Sequence, residues 1–166
     1  MSTPLNAERR RWWCVIGYEI SMFRGLRGLR GLSIIPAEHP QHTAWLLANC
    51  ISETVVLHTR NLCDFCTSSR TDDIKPRDLL DNYATDAKYE KLKGLIECLA
   101  RQYGTNHEGH VRWVFNKMLA HPTQERGKAF SYAPFLDQIV PALESVIEEI
   151  ETLRGRPFPA IPENCI

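Results

Sequence analysis

The sequence predicts an all-α fold, a single bundle of about five helices, and three observations predict it. Apolar residues recur three and four positions apart along most of the chain. No stretch alternates apolar with polar residues between turn signals, as a hairpin would. The segment from His42 to Ser69 contains neither Gly nor Pro, a length that suits a helix and not a strand. With 166 residues, 43% of them hydrophobic and 24% charged, the chain can bury roughly 70% of its unfolded surface, so its core requires no disulfide or metal. The expected organisation is an N-terminal helix with an Arg-Gly-Leu repeat over residues 1–37, the bundle over 38–156 and a Pro-rich tail over 157–166.

Each element has its own signal. Arg9, Arg10 and Arg11 precede the apolar run Trp12 to Ile16, which imitates a secretory signal but stops at Gly17, Tyr18 and Glu19, too short for an apolar signal core. No segment approaches about 18 uninterrupted apolar residues, so a cytoplasmic protein without a membrane span is expected, with its cysteines reduced. The repeat Arg24 to Leu32 carries three glycines, each costing about 1 kcal/mol inside a helix, and reads as a frayed helix or a loop. From His42 to Ser69 a central helix is expected, its stripe running through Leu47, Cys50 or Ile51, Thr54, Leu57, Asn61 or Leu62, and Phe65. A loop at Thr71 to Pro76 follows, with one short helix over Pro76 to Asn82.

Tyr89, Leu92, Ile96, Leu99 and Tyr103 mark the next helix, capped by Thr85 and ended by Gly104. Thr105 and Glu108 have capping-box spacing ahead of Val111, Val114, Phe115 and Met118, a helix that must stop near His121 because Pro122 disfavours helical geometry before it. The last helix runs from Pro134 through Phe135, Ile139, Val140, Leu143, Val146, Ile147, Ile150 and Leu153, with a kink expected at Pro141.

Charge is balanced overall and separated locally. Lys and Arg number 20 against 20 Asp and Glu, which excludes a basic protein that coats nucleic acid. Residues 1–32 nevertheless hold six arginines and two acids, a net of +4, and residues 137–151 hold five acids and no base, a net of −5. An RNA-binding arm fits the basic end; a solvated connector or self-association through opposite charges fits it more simply.

Few residue patterns carry chemistry. There is no GxSxG elbow, no GxGxxG after a strand and no GKS or GKT loop. Cys63 and Cys66 form a CxxC behind His58, but without a second pair of ligands core packing explains them better than zinc. No cofactor is expected. Asp72 and Asp73 suit a turn. His121 stands at a helix end whose dipole favours the imidazolium, one turn beyond Asn116 and Lys117, and reads as an acid, base or anion partner, or as a simple cap. Arg60 and Asp64 are four apart and can pair. Asn61 falls within the apolar stripe and needs a partner, which a helix bearing Asn116 and His121 would supply.

Taken together, His58, Arg60, Asn61, Leu62, Asp64 and Phe65, then Asp72 and Asp73, then Asn116, Lys117, Ala120, His121, Thr123 and Arg126 resemble the motifs of small bacterial HEPN-type helical proteins, over about residues 45–150. The resemblance implies a HEPN-like core, a homodimer and RNA as partner, with metal-independent ribonuclease activity of the toxin or defence type. His121, Asn116 and Arg60 would then be catalytic, and Arg126, Lys117, Asn61, Asp64 and His58 would bind substrate. One departure stands out: active members carry Arg-x(4 to 6)-His, whereas Arg112, the upstream Arg on the helix, is separated from His121 by eight residues. Arg60 or Arg126 would have to supply the cation, since Lys117 lacks the planar fork of Arg. The alternative is a non-catalytic helical module for binding or oligomerisation.

Overall fold

The fold is built outward from one helix that must be buried on several sides. The computed structural model describes residues 4–29, 41–80, 86–120 and 131–158. These form six helices and, among the described residues, no strand: α1 (Pro4–Leu29), α2 (Gln41–Thr67), α3 (Pro76–Leu79), α4 (Asp86–Tyr103), α5 (Val111–Ala120) and α6 (Ala133–Arg154). The chain is therefore all-α, as its periodicity predicts. α2 packs against α1, α4, α5 and α6, while α4 and α6 pack on each other.

The buried residues of α2 are Val55, Val56, His58, Thr59, Leu62, Cys63, Phe65 and Cys66; Leu62 and Phe65 belong to the expected stripe, whereas its Leu47, Cys50 and Leu57 are exposed. Leu46, Leu47 and Leu57 stay 41–46% exposed. The reason is local: Val55, Thr59, Leu62 and Cys66 continue one helical row, and Thr59 satisfies its hydroxyl by donating to the Val55 carbonyl at 2.7 Å, so it is buried without cost in hydrogen bonds. Ile16, Ile20 and Phe23 of α1 meet this face, and Leu92, Leu99 and Tyr103 of α4, Val111, Val114 and Phe115 of α5, and Leu136, Ile139, Leu143, Val146, Ile147 and Ile150 of α6 complete the core. Burying each such aliphatic side chain is worth about 1.5–3 kcal/mol.

Helix ends follow from backbone chemistry. α4 stops at Gly104, whose φ of 73° lies in the left-handed region. A Cβ at that position would also come within 2.8 Å of His110 Nδ1, so glycine is required twice over. The capping box expected at Thr105 and Glu108 does not open α5. Thr105 instead gives its backbone N–H to His110 Nδ1 at 3.0 Å, and the helix begins at Val111 beyond this loop. α3 is one turn long; its Lys75 N–H donates to Asp78 at 2.8 Å. Pro141 lies inside α6 on an exposed face. The Thr85 cap lies outside the described residues.

The charge separation of the sequence is met within one chain. α1 continues as helix through the first two glycines of the repeat, and Arg24 reaches α6: Nε and Nη2 donate to Glu144 at 3.2 and 3.0 Å, and Nη1 donates to Glu151 at 3.0 Å. Arg27 adds a bond to Glu144 at 2.9 Å. Burial works against the Arg24 charge, but the bonds to Glu151 and Glu144 more than offset it and raise its pKa. A planar fork shared between two carboxylates fixes α1 on α6 more tightly than single surface pairs do. Helix formation across Gly25 and Gly28 is thus supported by its neighbours.

Replacing fully buried Leu143 by Ala is expected to lower stability by about 2–5 kcal/mol, whereas exposed Leu57→Ala changes it by less than about 1 kcal/mol; urea unfolding of the two variants reads the difference.

Candidate functional site

Along the C-terminal half of α2, residues that are not on the core row form a polar arc: His58 and Asn61 at one edge, Asp64 and Arg60 at the other. Helical spacing places His58 beside α1 and Asp64 beside α5, and the side chains from those neighbours meet them there.

On the α1 side the partner is Glu19. Its Oε2 lies 2.7 Å from His58 Nδ1 and accepts from Asn61 Nδ2 at 3.2 Å. His58 is 5% exposed, and the edge of the Tyr18 ring lies against it at 5.7 Å between centroids. One carboxylate oxygen thus serves an imidazole and an amide in a nearly dry setting. Asn61 finds its partner here, on α1, and not on the helix that bears Asn116.

On the α5 side two guanidiniums converge on Asp64. Arg112 Nη2 donates to Oδ1 at 3.2 Å, and Arg60 Nε stands 3.7 Å from Oδ2, an ion pair beyond hydrogen-bond reach. The buried Arg60 Nε has no hydrogen-bond partner among the described residues. Tyr103 donates its hydroxyl to the same Oδ1 at 3.3 Å, and Arg112 lies over the Tyr103 ring at 5.5 Å. Burial, with the Asp64 charge second, pushes the Tyr103 phenol well above its ordinary value, so it remains a donor. Arg60, Asp64 and Arg112 have side chains 31%, 32% and 36% exposed, so the cluster opens to solvent.

The remaining predicted residues are dispersed. Asn116 Nδ2 donates to Asn106 Oδ1 in the loop before α5 at 3.0 Å, while its own buried Oδ1 has no partner among the described residues. Lys117 lies over Trp113 at 5.3 Å. His121 and Arg126 fall outside the described residues. In the Asp72–Asp73 turn, Arg70 pairs with Asp72 at 3.1 Å and holds that carboxyl below its usual range, while Ser68 donates to Asp73. Cys63 and Cys66 are buried in the core, and burial raises both thiol pKa values. No group of three His, Cys, Asp or Glu with metal-binding geometry occurs among the described residues.

The sequence motifs thus named His58, Arg60, Asn61 and Asp64 but not the residues that answer them, Glu19, Tyr103 and Arg112. Glu19 had one legible signal: it follows Ile16 by three and precedes Ile20 by one, at the edge of the buried face of α1. No protein-family model, curated protein or solved structure matches the chain.

Glu19→Ala leaves His58 and Asn61 without their acceptor and is expected to cost about 1–3 kcal/mol, with less than additive loss when combined with Asn61→Ala in a double-mutant cycle. A second outcome concerns pH. Cys63, Cys66 and Tyr103 keep their protons in the native state above the pH at which the unfolded chain releases them, so their contribution is complete below the ordinary thiol value of 9.0 and falls as pH rises past it. Unfolding free energy measured from pH 8 to 11 should decline, and less steeply in Cys63→Ala/Cys66→Ala.

Proposed function

We propose that the chain is a HEPN-like protein of the toxin or defence type that engages RNA, with Arg60 and Arg112 holding phosphate. The observation that carries this reading is the convergence of two guanidiniums, from α2 and α5, on the single carboxylate of Asp64 in a half-exposed cluster. Two positive charges face one negative charge, and among the described residues Arg60 Nε has no hydrogen bond. A phosphate at the half-exposed face of the two guanidiniums supplies the missing negative charge, and the planar fork of Arg suits it. Cleavage, on this reading, is metal-independent: His121, directly after the last residue of α5, moves the proton of the 2′-hydroxyl with Asn116 as a second catalytic residue, and Lys117 and Arg126 add charge for the substrate. His58, Asn61 and Asp64 position the substrate side of α2. The working form is a cytoplasmic homodimer without cofactor.

A second reading, a non-catalytic helical module for binding or self-association, draws on a different observation. His58 and Asn61 are closed on Glu19 and fix the register of α1 against α2, while Val15, Tyr18, Leu46, Leu47 and Leu57 leave apolar surface exposed on the same two helices.

Structured RNA incubated in EDTA with wild-type protein, Arg60→Gln/Arg112→Gln and His121→Ala separates the readings. RNA binding lost in the double variant and cleavage lost in His121→Ala are the expected results. Equal RNA binding by wild type and the double variant would sink the phosphate site. Binding without cleavage in the wild type favours the non-catalytic module.

A further inference from the structure

The row of α2 that its own core leaves uncovered is one half of a larger face. Leu47, Cys50, Thr54 and Leu57 follow one another at alternating spacings of three and four, the period of a helix that packs lengthwise along other helices. Leu47, Cys50 and Leu57 are exposed and Thr54 is half-buried. α1 carries a row of the same period, Val15, Tyr18, Met22 and Gly25, on the side away from its buried Ile16, Ile20 and Phe23. The two rows adjoin, because the edge of the Tyr18 ring lies against His58 and the neighbouring Glu19 accepts from Asn61. Among the described residues, the large apolar side chains left exposed are Val15, Tyr18, Leu46, Leu47 and Leu57, all on these two helices.

This face is almost free of charge. From Trp12 to Phe23 the one acid or base is Glu19, which is closed on His58 and Asn61. From Gln41 to Thr59 the one carboxylate is Glu53, and there is no Lys or Arg. α4 shows how this chain builds a solvated outer face: Lys88, Glu90, Lys91, Lys93, Glu97 and Arg101 are all exposed there. Depletion of charge, with aromatic residues and Met in its place, marks the core of a protein–protein interface and not a surface left to water. The first half of α2 is also uncovered. From Gln41 to Thr54, fourteen residues, no described side chain is buried, and a helix of that length is marginal in water by itself. Leu46 to Asn61 spans about 24 Å and two helices side by side are about 20 Å wide, a face of roughly 500 Å² in projection and more over its side chains, against ~600 Å² per partner where specific interfaces begin.

We propose that this α1–α2 face joins two copies of the chain, in a two-fold contact that packs the helix pair of one copy on the same pair of the other. A two-fold contact sets a patch against itself. A patch with almost no charge meets its own copy without like-charge repulsion, and rows of equal period mesh at the shallow crossing angle of a four-helix bundle. Gly25 suits this approach: a Cβ there would meet nothing within 4 Å in its own chain, so the fold does not require glycine, whereas a second helix coming close is served by it. The contact rests on the self-association reading above, whose face and partner it names, and makes no use of the Arg60/Arg112 site.

Sedimentation of the full chain over a range of concentrations tests the contact, together with mapping of thiol alkylation by mass spectrometry. The wild type is expected to sediment as a dimer that dissociates on dilution. Leu47→Glu/Leu57→Glu sets two charges of each copy in the face and is expected to raise the dimer dissociation constant at least about a hundredfold, while Glu97→Lys on α4 leaves it unchanged. Native Cys50, exposed in the single chain, should be alkylated several-fold more slowly in the dimer than at dilution, and Cys98 of α4 should react alike in both. Protection of Cys50 is read on the wild type, so it decides the matter even where Leu47→Glu/Leu57→Glu fails to fold. A dimer whose Cys50 stays as reactive as at dilution, or one that a folded Leu47→Glu/Leu57→Glu retains, would overturn this face and leave self-association standing. A monomer at every concentration would overturn both.

Discussion

The whole arrangement depends on α2 having four helical neighbours. Because α1, α4, α5 and α6 all pack on it, its core row must be apolar or self-satisfied, and its polar residues must either reach solvent or find partners on the flanking helices. Burial without a hydrogen bond would cost more than any one contact returns. Two polar ties solve this constraint, Glu19 with His58 and Asn61 on the α1 side, and Asp64 with Arg60, Arg112 and Tyr103 on the α5 side. The first is nearly dry and closed; the second is half-exposed and carries excess positive charge. That contrast is why one edge of α2 reads as a lock between helices and the other as a place for a ligand.

The same economy governs the long-range charges. Within the acidic stretch of α6, Glu144 and Glu151 take Arg24 and Arg27 of their own chain. Lys91 closes on Glu149 in the same way, from α4. At the end of α6, Arg154 lies over the Trp13 ring of α1 and adds a further tie between the two helices. A net charge of zero is therefore compatible with a local excess of positive charge at Arg60 and Arg112, since neutrality is a property of the sum and not of the patch. The shallow depression of about 680 Å³ between Arg24, Arg27, Val140, Pro141, Glu144 and Glu148 shares no residue with the Asp64 cluster, and both of its arginines are joined to Glu144.

Legibility varied with the range of the interaction. Helices α4 and α6 follow their apolar spacing closely, with Leu92, Leu99 and Tyr103, and Ile139, Leu143, Val146, Ile147 and Ile150, buried as the period requires. α2 was harder, because a helix with several neighbours has a broad buried arc and its apolar residues extend beyond it; the stripe through Leu47 and Leu57 is real in the sequence yet solvent-exposed in the fold. The opening of α5 was misread for a different reason. Thr105 and Glu108 have the spacing of a capping box, but His110 competes for the Thr105 backbone N–H once Gly104 turns the chain.

By itself the sequence determined that this chain is helical, where four of its helices lie, and which polar residues of α2 need partners, because these depend on spacing within one turn and on the conformational limits of Gly and Pro. Only the tertiary structure decided who those partners are. Glu19 is 39 residues from His58, Tyr103 is 39 from Asp64, Arg112 is 48 from Asp64, and Arg24 is 127 from Glu151. A carboxylate or guanidinium carries no mark in the sequence of the group it will meet; the packing of α1, α5 and α6 brings each pair within reach, and the cost of burying an unpaired charge then selects it.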